Sequence, residues 1–216
     1  MYVIISAAMS VDGKIATKSG ESKISSLQDL KRVHKLRASV DAIMVGILTV
    51  ITDDPMLDVR YSECNTKLPI RVILDSNARI PLSSRILKTA HNIYTIVAVT
   101  GKASQKKIDD IRDTGAHVLV AGNDKINIAN LIRHLSQMGC NRLLVEGGGE
   151  TNWSLLKLGL INEIIITVSS MIIGGRNAVT LVEGCGYSKI SGTLKLKLTK
   201  FERQGTDELV LYYRSA

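Results

Sequence analysis

Leu143-Leu144-Val145-Glu146-Gly147-Gly148-Gly149-Glu150-Thr151-Asn152 is the stretch on which the fold turns. Residues 142–146 read as a strand, apolar at 143–145 and stopped by three glycines. The residues from Thr151 to Lys157 then resume as a helix. A strand that ends in glycines and reopens as a helix bares backbone N–H groups, and those at the helix start suit a phosphate. The same residues serve equally well as a tight strand-to-helix turn with no ligand, and composition alone does not separate the two. The dinucleotide fingerprint GxGxxG after a first strand is not matched here, nor is the Walker A spacing with its GK[ST] ending.

Working outward, the same alternation recurs. Val3 to Ala8 is an apolar strand, and Ser10-Val11-Asp12-Gly13-Lys14 its turn. Ser26 can cap a helix from Leu27 to Ser39, and Asp41 to Gly46 follows as a buried strand. Ile47 to Ile51 is helix or turn, stopped by Asp53-Asp54-Pro55. Strands are expected at 71–75, 93–99 and 118–120, and helices at 105–113 and 128–138, the last ended by Gly139. Glu163 to Val168 returns to strand. Segments 196–201 and 208–214, separated by Gly205-Thr206, read as an antiparallel hairpin. Ser83 to Ala90 and Asn123 to Asn127 are expected as surface loops. The sum is a three-layer α/β fold with a mixed sheet, and residues 1–216 are taken as one domain without linker or repeat.

The 216 residues carry 28 Lys and Arg against 20 Asp and Glu, a formal charge of +8. A hydrophobic fraction of 45% supports a real core and argues against disorder. The basic surplus suits a small anionic ligand or a plain charged surface. With one Phe and one Trp there is little to stack bases on, so nucleic acid is not an expected partner. Cys64, Cys140 and Cys185 form no CxxC pair, and His34, His91, His117 and His134 form no HExxH or HxH cluster. No metal is therefore expected, and His34 is read as a structural residue of its helix. The N-terminus has no basic leader, and the apolar runs are too short to span a bilayer, so a cytoplasmic protein without membrane association is expected.

Asp12, Asp53, Asp54 and Glu146 fall at element ends, where a carboxylate orients a ligand or simply makes a turn. No serine sits in a GxSxG context. Gly174-Gly175-Arg176 is a second loop that could meet an anion or merely connect strands. With no nucleophile in evidence, the polar residues point to a bound reactive cofactor rather than to a covalent intermediate.

The order of these blocks resembles the riboflavin-biosynthesis pyrimidine reductase family. The resemblance rests on Ser10-Val11-Asp12-Gly13-Lys14-Ile15, Leu36-Arg37-Ala38-Ser39-Val40-Asp41-Ala42-Ile43, and Val45-Gly46 followed by Thr49-Val50. It continues through Asp53-Asp54-Pro55-Met56-Leu57-Asp58-Val59-Arg60, Arg71 to Asp75, Leu144 to Gly148 and Gly174-Gly175. It implies a dihydrofolate reductase-like fold with a central, predominantly parallel sheet and a C-terminal hairpin. The implied activity is NADPH-dependent reduction, with NADH as the other nicotinamide option. The implied substrate is 2,5-diamino-6-ribosylamino-4(3H)-pyrimidinone 5′-phosphate, reduced at its ribosylamino group before deamination. A homodimer is also implied. The competing expectations are a related reductase of a deaminated pyrimidine or a pteridine, and a noncatalytic nucleotide-binding module.

The same resemblance assigns residues. Thr49, Asp53 and the run Gly148, Gly149, Glu150, Thr151, Asn152, Trp153 and Ser154 correspond to cofactor positions. Gly46, Ile24, Gly174 and Gly175 are additional cofactor-side positions. Ile24 stands where some relatives carry an aromatic residue, which weakens any stacking role there. Ser22, Arg37, Leu57, Arg60 and Glu146 correspond to substrate-facing positions. Arg37 and Arg60 suit the sugar phosphate, and Asp53 is the candidate catalytic residue, handling a proton or orienting the nicotinamide.

Overall fold

A computed structural model describes residues 1–60 and 68–215; Cys64 lies outside the described residues. The chain forms two compact units. Unit one comprises His34–Leu144 with Met1; unit two joins Tyr2–Val33 to the chain from Val145 onward. The division falls inside helix α1 (Leu27–Ala38) and strand β6 (Arg142–Val145).

Unit one is built on parallel strands β2 (Ala42–Gly46), β3 (Ile70–Leu74), β4 (Thr95–Val99) and β5 (His117–Val120). Their order is β5-β4-β3-β2, with β6 beyond β2. The connections between these parallel strands carry α2 (Ile47–Asp53), α3 (Arg85–Lys88) and α4 (Gln105–Arg112); α5 (Ile128–Gln137) leads from β5 to β6. Strand β4 is buried at every position, as expected of an interior parallel strand that alternates with helices in sequence. Helix starts follow local chemistry: the Ser104 Oγ accepts the Lys107 N–H at 3.4 Å, and the Asn127 Oδ1 accepts the Asn130 N–H at 3.0 Å. Gly139, at φ 89°, ends the α5 segment as expected.

Unit two pairs β1 (Tyr2–Ser10) parallel to β7 (Glu163–Ser169). β7 pairs antiparallel to β9 (Glu208–Ser215), and β9 to β8 (Leu196–Gln204), which forms the edge. The expected C-terminal hairpin is present, with a register irregularity between Leu198 and Lys200. The Ser26 Oγ accepts the Asp29 N–H at 3.1 Å, capping α1 where the sequence placed its start.

Two expectations need correcting. Residues 83–90 are not a surface loop: the Ser84 side chain caps α3, and Ile86 and Leu87 are fully buried. Burying two such side chains contributes on the order of 1.5–3 kcal/mol each, enough to hold one helical turn that propensity alone would not. Helix α6 (Gly149–Lys157) begins two residues before Thr151. Only glycine fits this first turn: a Cβ on Gly149 would lie 2.5 Å from the Glu183 Cγ and 2.6 Å from the Thr180 carbonyl oxygen.

Candidate functional site

In unit one, Gly46 precedes α2, whose Thr49 is half-buried and whose last residue, Asp53, is exposed. Asp54 follows in the left-handed conformation (φ 39°), and its Oδ1 accepts the Arg85 N–H at 2.8 Å. The chain then continues without regular secondary structure to Arg60. Leu57 is buried with φ 49°, a strained backbone for a branched apolar residue. Arg37 Nη1 donates to the Asp58 carbonyl at 3.1 Å, and Arg60 Nε stands 3.0 Å from Asp58 Oδ1. That Oδ1 has no aligned hydrogen-bond donor, so the Arg60 contact is an ion pair of imperfect geometry. The Arg60 N–H donates to His34 Nδ1 at 3.0 Å. The structure therefore brings Arg37, Leu57 and Arg60 together.

Behind this segment lies a residue whose role the sequence did not show. Arg71, fully buried on β3, donates through Nη1 to the Met56 carbonyl at 3.3 Å and to the Thr89 hydroxyl at 2.7 Å. Nη2 reaches the Ile86 carbonyl at 2.9 Å and the Ile93 carbonyl at 3.2 Å, and Nε the Thr95 hydroxyl at 3.0 Å. Burial pulls its pKa down to about 10, while the charge of Asp58 acts in the opposite direction. Its signal in sequence was a lone cation beginning the apolar run Arg71-Val72-Ile73-Leu74.

In unit two, Glu146 is half-buried just after β6, and Gly147 has φ 89°. The Gly147–Gly148 peptide is cis. Gly148 provides no side-chain cap to α6, so the first N–H groups of that helix have no side-chain acceptor from it. Asn152 is fully buried; its Nδ2 donates to the Leu181 carbonyl at 2.8 Å, while its Oδ1 lacks a partner. The Gly149 carbonyl accepts the Glu183 N–H at 3.2 Å, and the Ser154 hydroxyl donates to the Glu150 carbonyl at 2.8 Å. Trp153 meets Tyr187 edge-on at 5.0 Å. Beside it is an apolar cavity of about 330 Å³, lined by Ile5, Trp153, Leu156, Ile166, Tyr187 and Leu194 among others.

Ser22 is half-buried and its carbonyl accepts the Ile24 N–H at 2.8 Å. Ile24 is buried, and its own carbonyl accepts the Ser169 hydroxyl at 3.1 Å. At the second glycine loop, Asp12 Oδ2 accepts the Gly174 N–H at 2.7 Å, and Oδ1 accepts the Ile173 N–H at 3.1 Å. Oδ1 also accepts the Ser10 hydroxyl at 2.6 Å, and these donors lower the Asp12 pKa to about 2. Gly174 thus spends its N–H on an internal carboxylate, while Gly175 is exposed. Among the described residues no cluster of His, Cys, Asp or Glu could hold a metal ion.

The arrangement fits a nicotinamide dinucleotide in two respects: an uncapped glycine start on α6, and the buried, unpartnered Asn152 Oδ1 a few residues along it. Comparison with known proteins points the same way. The 2,5-diamino-6-ribosylamino-4(3H)-pyrimidinone 5′-phosphate reductase of Methanothermobacter thermautotrophicus is 42% identical over 212 residues, covering 98% of this chain and 97% of that one. The Archaeoglobus fulgidus protein of the same name is 38% identical, covering 94% of each. Among solved structures, RibD of Acinetobacter baumannii superposes with a TM-score of 0.84 at 29% identity over the whole chain, which spans 58% of that longer protein. Dihydrofolate reductase of Enterococcus faecalis shares the fold alone, covering 99% of this chain and 96% of that one at a TM-score of 0.55 and 11% identity. Those archaeal relatives are reductases, hence oxidoreductases. The profile of the RibD C-terminal domain matches residues 1–210, so the resemblance read from the sequence holds and the chain belongs to the RibD C-terminal domain family.

Proposed function

We propose that this chain acts as a single reductase domain that converts 2,5-diamino-6-ribosylamino-4(3H)-pyrimidinone 5′-phosphate to its ribitylamino product, with NADPH as reductant. The observation that carries the reading is the 42% identity to the reductase of that name over 98% of this chain. When bound, NADPH supplies a hydride to sugar C1′. The chain's residues do the rest. Arg37 and Arg60 receive the 5′-phosphate through charge-assisted hydrogen bonds, with Ser22 adding a hydroxyl. Leu57 packs against the substrate, and Glu146 fixes a ribose hydroxyl or ring N–H. The start of α6 at Gly148 and Gly149 holds a cofactor phosphate on backbone donors. Gly46, Thr49, Asp53, Ile24, Gly174 and Gly175 serve as further cofactor-side residues.

The ribosylamine opens to a C1′ imine, hydride adds at carbon, and one proton is taken up at nitrogen; Asp53 handles that proton or orients the nicotinamide. The protein works in the cytoplasm as a homodimer. No described helix is long and apolar enough to cross a membrane.

The test follows NADPH absorbance with the diamino substrate and weighs the product. Substrate-dependent oxidation with a gain of two hydrogens is expected. Oxidation with the deaminated analogue only would place the enzyme after deamination, and oxidation with neither would overturn the reading.

A further inference from the structure

Arg60 combines a fixed backbone with an exposed head. Its side chain is 53% exposed, yet its N–H is bonded to the Nδ1 of His34, a residue only 4% exposed. The segment is secured at three further points: Arg71 holds the Met56 carbonyl, Arg37 holds the Asp58 carbonyl, and Leu57 is sunk into the core. Arg60 Nε faces Asp58 in an ion pair at 3.0 Å, and the two Nη groups form the edge from which a phosphate can be gripped by two parallel hydrogen bonds. An apolar residue at position 34 would pack as well in α1. It would also leave the Arg60 N–H without its acceptor, and an orphaned donor drives the backbone to shift.

We infer that His34 is a positioning residue for the reduction. Through Nδ1 it fixes the Arg60 backbone, and so sets the guanidinium where the substrate 5′-phosphate is received. This rests on the proposed function only for the identity of the phosphate ester. An acceptor on a helix, 26 residues earlier in the chain, is a more rigid anchor than any contact inside the irregular segment itself.

The test compares His34→Leu, which removes the acceptor, with His34→Asn, whose Oδ1 can take the place of Nδ1. Turnover is measured with the phosphorylated substrate and with its dephosphorylated riboside, and ribose 5-phosphate binding is measured by calorimetry. In His34→Leu the KM for the phosphorylated substrate should rise roughly tenfold, as expected for one lost buried hydrogen bond, with little change in kcat. Ribose 5-phosphate should weaken in parallel, the riboside should show no change in KM, and His34→Asn should recover most of the loss. Equal effects on phosphorylated and dephosphorylated compounds, or unchanged ribose 5-phosphate affinity, would overturn the inference. If the wild-type protein fails to turn over the pyrimidine, the proposed function falls, while ribose 5-phosphate binding still decides the part played by His34.

Discussion

Arg71 shows how much a single side chain can organise. A fully buried guanidinium is costly unless its donors are satisfied, and here carbonyls and hydroxyls from three separate stretches of unit one satisfy them. One of those carbonyls belongs to Met56, next to the strained Leu57, so the core supports the very residues assigned to substrate. Asp53 is the opposite case, an exposed carboxylate at a helix end, assigned a chemical rather than a structural task. Asp53→Asn should leave the folded protein intact and lower kcat by about 10²-fold, the lower end of what a positioned acid or base contributes. Stopped-flow turnover across pH gives the answer; a variant with full turnover and an unaltered pH profile removes Asp53 from proton handling.

At the scale of elements, α6 is the sharpest case. Gly149→Ala puts a methyl group against the Thr180 carbonyl, a backbone atom that cannot swing away. Overpacking of this kind costs about 1–3 kcal/mol, and Tm should fall by several degrees with NADPH affinity falling too. Gly139→Ala is the control: φ is 89° there but nothing lies within 4 Å, so it should destabilise without touching NADPH binding. Equal NADPH affinity in both variants would separate Gly149 from the cofactor site.

Much of the strand and helix sequence was legible because the elements carried their own period and their own punctuation, Ser26 at a start and Gly139 at an end. What the local pattern could not reveal was set by distant partners. Glu183 and Thr180 force glycine at 149, thirty residues or more away, and the burial of Ile86 and Leu87 turns a polar-looking stretch into α3. The commitment of Gly174 to Asp12, and of His34 to Arg60, likewise depends on residues far along the chain.

For the whole molecule, acid response follows from carboxylates whose pKa values are displaced in opposite directions, Asp12, Asp29 and Asp75 among them. Asp12 is held down to about 2 by the Ser10 hydroxyl and loop N–H groups, and Asp29 is lowered, the Arg32 charge and Thr167 hydroxyl outweighing burial. Both stabilise the fold above the ordinary carboxylate range near 3.8, and that contribution drains away as pH falls towards 2. Asp75 is raised by burial, so its charged form disfavours the native state, and acidification through its raised pKa relieves that cost. Thermal melts should therefore show Tm level or rising slightly from neutrality into mild acid, and falling below about pH 4. Asp12→Asn should shrink the fall at the lowest pH; an unchanged low-pH limb would show that the contacts of Asp12 do little for the fold.

The β8 edge has a consequence of another kind. An edge strand nine residues long, paired to β9 on one side only among the described residues, is a template on which foreign backbone can grow, and its Leu196, Leu198 and Phe201 are exposed. Lys197 and Lys200 interrupt that apolar row, and the register slip between Leu198 and Lys200 breaks the regular ladder a recruited strand would need. Positive charge and a broken ladder thus act as gatekeepers against fibrillar stacking at high protein concentration. The resistance should weaken where salt screens those lysines.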